Sequence, residues 1–436
     1  MIKSKRSMGL IFFPAYDWAI SPTHPEREER LLYTQDQLRE EGIFDIQGLV
    51  EFKPDIATEE DVLRTHFCFP DVAGVTTESH MISAGGAIKA ARLVLDGEVD
   101  KAFALVRPPG HHAMKSVHGN RGFCNINNEA IMIEYIRDRY ATKRIAVVDT
   151  DCHHGDGTQD IYWNDPDVLY ISIHQDGRTL YPGSGHVDEY GGPGAAGRTV
   201  NIPLPPETSD EGFLYAIEEM VLPILKDFKP EITVNSAGQD NHFTDPITNM
   251  KFSAQGYAML NDKLDPDIAV LEGGYSIQGA LPYVNLGIIL AMAGVDYSHV
   301  REPNYDRASL RQDRRITDYI KRLRDVVLGV YFNPETYEDL PPVGQYMTRR
   351  KNIYYDTDGI SESQNESVMR CIECPGVWSI ETSSSVYPLS LGIEIPVGAC
   401  KTCEKEGTSL LENARKSGRY KTIQVIDRVR KEYYRL

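Results

Sequence analysis

Apolar and polar positions form two kinds of pattern along the first 330 residues. Short apolar runs that end in Gly, Pro, His or Asp predict buried strands; they are AFALV, RIAVVD, DVLYISIH, EITVNSAG and DIAVLEGG. Segments with apolar residues three and four positions apart predict amphipathic helices; they are SAGGAIKAARLVL, NNEAIMIEYIRDRY, EGFLYAIEEMVLPILKDF and ITDYIKRLRDVVLGVYF. Because strands and helices alternate, we expect an α/β domain whose mostly parallel central sheet is flanked by helices.

The apolar N-terminal stretch MGLIFFPAYDWAI predicts a first strand rather than a signal peptide. Pro14 and Asp17 interrupt it, and no small-residue cleavage pattern follows. The chain has no run of eighteen or more apolar residues, so we predict no membrane span. A cytoplasmic location is expected.

Composition divides the chain into three parts. Residues 8–335 carry the α/β pattern, and the Pro-rich acidic stretch NPETYEDLPPVGQ marks its end. Residues 336–367 are expected to form a linker, because YYDTDGISESQNES is too polar to build a core. Residues 368–436 form a separate module, whose last segment QVIDRVRKEYYRL is expected to be a basic helix.

The net charge of −18 is unevenly spread over the 436 residues. Residues 401–436 carry ten Lys or Arg against five Asp or Glu, so the body before them is more acidic than the whole. Such a body disfavours nucleic acid and attracts cationic substrates such as Lys-rich tails or polyamines. Charge alone is equally compatible with plain solubility, and a homo-oligomer is left open.

Four of the seven cysteines form two C-x-x-C pairs, Cys371 with Cys374 and Cys400 with Cys403. Two such pairs predict a tetrahedral Cys₄ zinc site in a small zinc-ribbon-like module, with the β-branched segment between them as a hairpin. Redox-active pairs are the competing interpretation. The module is expected to dock on the acidic body or on a partner subunit.

The densest cluster of polar residues is VVDTDCHHGDG, directly after an apolar run. On an extended segment Asp149, Asp151 and His153 point to one side, where like charges repel. Burial of this face requires a cation or protonated acids, and the pattern suits a metal. In open α/β sheets such strand ends line the site crevice.

Four further motifs stand at strand ends: RPPGHHA, GNRGFCNINNEA, NSAGQDNHFTDP and LEGGY. Together, in this order, they resemble the catalytic domain of zinc-dependent histone deacetylases and acetylpolyamine amidohydrolases. The resemblance covers roughly residues 8–335 and implies the arginase-deacetylase fold. It also implies a catalytic Zn²⁺ held by Asp151, His153 and Asp240. Two carboxylates and a neutral imidazole would cancel the ion's charge and leave a position open.

The resemblance assigns roles around that ion. His111 pairs with Asp149 and His112 with Asp156, carboxylates that fix each imidazole's tautomer. His112 is the general base, and it or His111 protonates the leaving amine. Tyr275 donates to the developing oxyanion. A K⁺ ion is implied beside the zinc, held by Asp149, main-chain oxygens of Asp151 and His153, and Ser172.

Substrate-binding positions are implied as well. Two aromatic rings, Phe123 and Tyr181, wall a narrow tunnel that suits the thin apolar stem of an acylated lysine. The remaining lining residues are Gly122, Gly273, Gly274 and Ile247. Ile247 matches the gatekeeper position that is acidic in polyamine-selective relatives. Asp71 is a candidate substrate-clamping acid at the rim, and the C-terminal module could frame the tunnel mouth.

These features favour a hydrolase that removes acetyl or other acyl groups from lysine side chains. Acetylpolyamine hydrolysis is the alternative with the same chemistry. A binuclear manganese ureohydrolase would need a further pair of metal-binding acids, whereas SAGQDNH supplies only Asp240. A catalytically silent acyl-lysine reader would have no use for Tyr275 and both histidines.

Overall fold

The structure is a computed structural model that describes residues 2–15, 18–334 and 340–436. Its strands are β1 Lys3–Phe13, β2 Gln47–Phe52, β3 Phe67–Cys68, β4 Lys101–Val106, β5 Ser116–Val117, β6 Ile145–Asp149, β7 Val168–Gln175, β8 Thr199–Leu204, β9 Ile232–Ala237, β10 Ile268–Leu271, β11 Tyr346–Tyr355, β12 Ile360–Met369, β13 Trp378–Ser384, β14 Ser390–Ile395, β15 Ile423–Asp427 and β16 Glu432–Arg435.

The α-helices are α1 Leu32–Glu40, α2 Glu59–Leu63, α3 Val72–Val75, α4 Glu78–Leu95, α5 Asn128–Arg139, α6 Asp156–Tyr162, α7 Asp210–Ala216, α8 Leu222–Phe228, α9 Ala254–Leu264, α10 Leu281–Ala293, α11 Arg314–Phe332 and α12 Lys401–Ser417. A π-helical turn joins α7 to α8, and two 3₁₀ turns flank α1. Among these helices none is long and apolar enough to cross a membrane.

The main sheet has eight strands in the order β2-β1-β4-β10-β9-β6-β7-β8, and neighbouring strands are parallel. Both faces are covered. Ala146 and Val148 of β6 contribute to the core on the side of α7 to α11, whereas Ile145 and Val147 contribute to the core on the side of α4 and α5. Burial on both faces explains the continuous apolar runs of the strands. The predicted α/β architecture is confirmed.

The sheet order brings the polar motifs together. Strand β6 lies between β7 and β9, so Asp149 at its end has Ser172 and Ser236 as its register partners. The adjacent strands β10 and β4 end just before the segments that carry Tyr275 and His111. Because the strands are parallel, these chain segments leave the sheet at one edge.

The C-terminal part forms a second sheet of six strands in the order β11-β12-β13-β14-β15-β16, with helix α12 packed on it. The expected linker over 336–367 is wrong where the structure describes it, because β11 and part of β12 lie there; residues 335–339 of the acidic connection lie outside the described residues. The expected C-terminal basic helix is also wrong. Its segment forms β15 and β16, and the helix of this module is α12.

The polar sequence of β12 has a physical explanation. Glu362, Gln364 and Glu366 alternate with exposed residues and are all buried. Glu362 accepts hydrogen bonds from Ser116 of the first domain and from Tyr355, and Glu366 accepts one from Lys351. The strand therefore buries a polar face whose hydrogen bonds are satisfied partly across the domain boundary.

The two sheets meet in a buried interface. Phe67, Phe69 and Trp163 of the first domain pack with Trp378 and Ile426 of the second. The side chain of Gln424 exchanges hydrogen bonds with the main chain of Cys68 at 2.8 and 2.6 Å. Buried ion pairs add to these contacts. Lys115 contacts Glu394 at 2.5 Å, and Arg428 binds both Glu394 and Glu134. The module thus docks on the first domain of its own chain.

Replacing Arg428 tests this interface. Arg428→Ala should leave two buried carboxylates without their shared cation, lowering the free energy of unfolding by about 3–5 kcal/mol. Denaturant unfolding measures the change. The matched control is Lys416→Ala, a basic residue of the same module that is exposed and paired with exposed Glu412. Equal effects of the two substitutions would contradict a buried ionic interface.

Candidate active site

Asp151, His153 and Asp240 converge beyond the end of β6. Their ligand atoms all lie within 4.8 Å of one another, and all three residues are buried. Asp151 and His153 come from the segment after β6, and Asp240 comes from the segment after β9. His153 Nδ1 lies 2.8 Å from Asp240 Oδ2 and 3.2 Å from Asp151 Oδ1. Two carboxylates and an imidazole in this arrangement are a donor set that suits Zn²⁺.

The main chain fixes the two carboxylates. The N–H of Gly273 donates to Asp151 at 2.7 Å, and the N–H of Cys152 donates to Asp240 at 2.6 Å. A Cβ at Gly273 would lie 2.5 Å from an oxygen of each carboxylate, which is too close for any side chain. Gly273 therefore lets the backbone approach both candidate ligands, so the site fits a metal ion held by three protein side chains.

His111 and His112 follow β4 and stand beside these ligands. His111 Nδ1 lies 3.2 Å from Asp149, and His112 Nδ1 lies 2.9 Å from Asp156. The ring centroids of the two histidines are 4.1 Å apart, and the His112 ring is 6.1 Å from that of His153. Both pairings expected from the sequence are therefore present in the structure.

The two imidazoles differ in protonation. Burial and the charge of neighbouring His111 lower the pKa of His112 to about 3. Burial also lowers the pKa of His111, but the carboxylates of Asp151 and Asp149 outweigh it and raise that pKa well above its usual value. The two neighbouring imidazoles therefore have pKa values shifted in opposite directions.

Tyr275 is held from two sides. Its N–H donates to Asp245 at 2.8 Å, and the guanidinium of Arg30 stacks over its ring at 5.0 Å. Arg30 also donates to the main-chain oxygens of Gly274 and Glu272 on the same loop. Neither Arg30 nor Asp245 is predicted from the sequence. Arg30 lies 245 positions from Tyr275 and outside the motifs, and Asp245 stands within NSAGQDNHFTDP, where nothing in the pattern indicates its contact with Tyr275.

Phe123 and Tyr181 lie next to the candidate catalytic residues. The Phe123 ring contacts that of Tyr275 edge to face at 5.6 Å. The Tyr181 ring lies 5.2 Å from that of His112 and 6.4 Å from that of His153. Tyr181 is 37% exposed, so one edge of this aromatic pair reaches the surface.

Other expected residues have different surroundings. Ile247 is half-buried and donates its N–H to Asp245, the carboxyl that also binds Tyr275. The Ser172 hydroxyl is hydrogen-bonded to His174 at 2.8 Å. Asp71 caps α3 and pairs with Arg435 at 3.2 Å, so its described partners belong to its own helix and the C-terminal strand rather than to Phe123 or Tyr181.

The four cysteines of the module form a second candidate metal centre. Their sulfurs lie within 4.8 Å of one another, and those of Cys371 and Cys400 are 3.7 Å apart. Tetrahedral Zn–S bonds of about 2.3 Å place sulfurs about 3.8 Å apart. Cys400 precedes α12, and buried Cys403 lies in its first turn, so the second pair opens a helix.

Comparisons with known proteins agree with this geometry. The family model described as the histone deacetylase domain matches residues 72–285. A probable deacetylase of Archaeoglobus fulgidus is 48% identical over 327 residues, which cover 68% of this chain and 89% of the relative. A histone deacetylase-like amidohydrolase of Pseudomonas aeruginosa is 38% identical over 304 residues, which cover 63% and 79%.

A crystal structure of the HDA15 HD domain is similar in fold, with a TM-score of 0.63 and 26% identity over 76% of this chain and 97% of that one. The parallel eight-stranded sheet and its Asp-His-Asp site define a deacetylase or amidohydrolase of the arginase-deacetylase superfamily. Within it, this chain belongs to the histone deacetylase family.

The close approach at Gly273 can be tested directly. Gly273→Ala should push apart Asp151 and Asp240, and we expect Zn²⁺ affinity at this site to fall by about tenfold or more. Titration against a competing chelator gives the affinity. Gly329→Ala is the control, because its added methyl meets no atom within 4 Å. Wild-type affinity in Gly273→Ala would show that the glycine does not shape the ligand cradle.

Proposed function

We propose that this chain is a zinc-dependent hydrolase that removes acetyl or other acyl groups from lysine side chains of a protein or peptide. The observation that carries this proposal is the juxtaposition of His112 and Tyr275 with the Asp151–His153–Asp240 cluster behind two aromatic rings. Each group needed for amide hydrolysis is then within reach of one substrate carbonyl.

Zn²⁺ is the cofactor that this donor set supports. When bound, it supplies a Lewis acid for the amide carbonyl and activates a water molecule. Asp151 and Asp240 would neutralise its charge, and His153 would complete the protein ligands. A K⁺ ion held by Asp149, Ser172 and main-chain oxygens is part of the same proposal, supported by the adjacency of Asp149 and Ser172 on neighbouring strands.

The chain's own residues would divide the proton transfers. Neutral His112, held by Asp156, accepts the proton of the attacking water. Protonated His111, held by Asp149, donates a proton to the leaving amine. The hydroxyl of Tyr275 donates to the oxyanion that develops on the carbonyl, and Arg30 and Asp245 keep the tyrosine in place.

Acyl-lysine fits the surroundings better than an acylated polyamine. Phe123 and Tyr181 would present aromatic surface to an apolar stem, and the proposed gatekeeper Ile247 would offer a distal ammonium no negative charge. Acetylpolyamine hydrolysis stays the alternative with the same chemistry. It predicts higher activity on acetylated putrescine or spermidine than on acyl-lysine peptides.

A substrate panel tests the proposal. Wild type should hydrolyse peptides bearing acetyl-, propionyl-, lactyl- or longer acyl-lysine with higher kcat/KM than acetylated putrescine and spermidine. Tyr275→Phe should keep its zinc but lose about 10²-fold in kcat, because one oxyanion donor is gone.

Tyr305→Phe is the control, since it removes a hydroxyl from a tyrosine that stacks with Arg301 in the segment between α10 and α11. A wild-type enzyme inactive on every acyl-lysine peptide would refute the substrate class. Wild-type kcat in Tyr275→Phe would remove this tyrosine from the mechanism.

A separate prediction concerns the metal content of the chain. We expect two zinc ions per chain, one at the Asp-His-Asp site and one at the Cys₄ site. Asp240→Ala should lose the first together with activity, and the double variant Cys400→Ser/Cys403→Ser should lose the second and retain the first. Elemental analysis after dialysis measures both. Unchanged zinc in the double variant would favour redox-active thiols over a structural ion.

A further inference from the structure

The turn between β11 and β12 reaches the aromatic residues of the candidate active site. Oδ1 of Asp356 accepts a hydrogen bond from the N–H of Gly122 at 2.9 Å and another from the hydroxyl of Tyr181 at 3.1 Å. Gly122 precedes Phe123, and Tyr181 stands beside His112. One carboxylate oxygen from the C-terminal sheet thus joins the loop that carries Phe123 to the ring of Tyr181.

Further contacts hold this turn closely against the first domain. Asp358 accepts a hydrogen bond from the N–H of Asn120 at 2.6 Å. A Cβ at Gly119 would lie 2.5 Å from the carboxylate of Asp358 and 2.9 Å from the end of the Ile360 side chain, so the turn packs closely over this glycine. At the base of the turn, buried Tyr355 donates to the main-chain oxygen of Ser116 at 3.1 Å.

The sheet that carries the turn is anchored elsewhere. The buried contacts of Lys115, Glu394 and Arg428 hold it on the first domain, and the Cys₄ cluster lies beyond the end of β12 that is opposite the turn. Asp356 itself is exposed, so its position depends on this scaffold and on its two hydrogen bonds. The loop with Phe123 and the ring of Tyr181 belong to separate segments of the first domain, and Asp356 contacts both.

We propose that Asp356 is a positioning residue of the active site, supplied by the appended sheet, that sets the spacing between Phe123 and Tyr181. The inference rests on the proposed function, because these rings would hold the acyl-lysine stem. The stem is bound alike before and during reaction. Loosened walls therefore weaken ground state and transition state equally, which raises KM and leaves kcat nearly unchanged.

The experiment compares three variants of the full-length zinc-loaded enzyme on one acetyl-lysine peptide. Asp356→Ala removes both hydrogen bonds and should raise KM about tenfold, with kcat within about twofold of wild type. Asp356→Asn keeps an oxygen that can accept both bonds and should restore most of the loss. Tyr181→Phe keeps the ring but removes one bond, and should raise KM by a smaller factor.

A double-mutant cycle isolates the coupling. In the Tyr181→Phe background Asp356→Ala should raise KM by a smaller factor than in wild type, because one of its two partners is already lost. Glu412→Ala is the control, since it removes an equally exposed acid from α12 of the same module. Its KM should equal that of wild type. Zinc content and thermal midpoint are measured for every variant.

Several outcomes overturn the proposal. Unchanged KM in Asp356→Ala would do so, and so would strictly additive effects with Tyr181→Phe. A lower kcat at constant KM would indicate loss of folded enzyme. Equal increases in KM in Asp356→Asn and Asp356→Ala would show that the negative charge of Asp356 matters rather than its two hydrogen bonds. If Asp356→Ala does not fold, the Asn and Tyr181→Phe variants alone decide. Wild type inactive on acyl-lysine instead refutes the proposed function.

Discussion

The carboxyl end of β6 holds more negative charge than a buried strand end can bear without compensation. Asp149, Asp151 and Asp240 are fully buried. The ligand oxygens of Asp151 and Asp240 lie within 4.8 Å of each other, and Asp149 accepts a hydrogen bond from the N–H of Asp151. Removing an ionised carboxylate from water costs several kcal/mol unless partners replace the solvent. Main-chain N–H groups, imidazoles and, in the proposal, a divalent cation supply that replacement. The strand order and the close-packed glycine at Gly273 bring these partners to one place.

Neighbouring charges also give the adjacent residues His111 and His112 different pKa values. Both rings are buried, which lowers their pKa values. At His111 the carboxylates of Asp151 and Asp149 outweigh burial and raise the pKa, whereas at His112 burial and the charge of His111 lower the pKa to about 3. Identical side chains acquire opposite proton affinities because their neighbours differ.

The C-terminal sheet also buries acidic side chains that are paired with donors or cations. Glu362, Glu366 and Glu394 are buried, and their partners come from both domains: Ser116 and Lys115 from the first domain, and Lys351 and Arg428 from the module itself. A module that buries this many polar groups has a specified orientation, since any other leaves charges unpaired. Its β11–β12 turn consequently arrives at the active site in a defined position.

The sequence by itself determined the α/β core and indicated the candidate metal site. Apolar runs and helical periodicity identified the central strands, and the spacing of Asp149, Asp151 and His153 indicated a metal, because both signals are local. Only the tertiary structure decided the rest. Arg30, Asp245 and Asp356 act through contacts between distant segments. The polar strand β12 was mistaken for a linker because the partners of its buried acids lie on other strands and partly in the first domain. Local sequence patterns indicate which side chains are buried. Packing between distant segments decides which groups supply the hydrogen bonds and opposite charges that the buried polar side chains need.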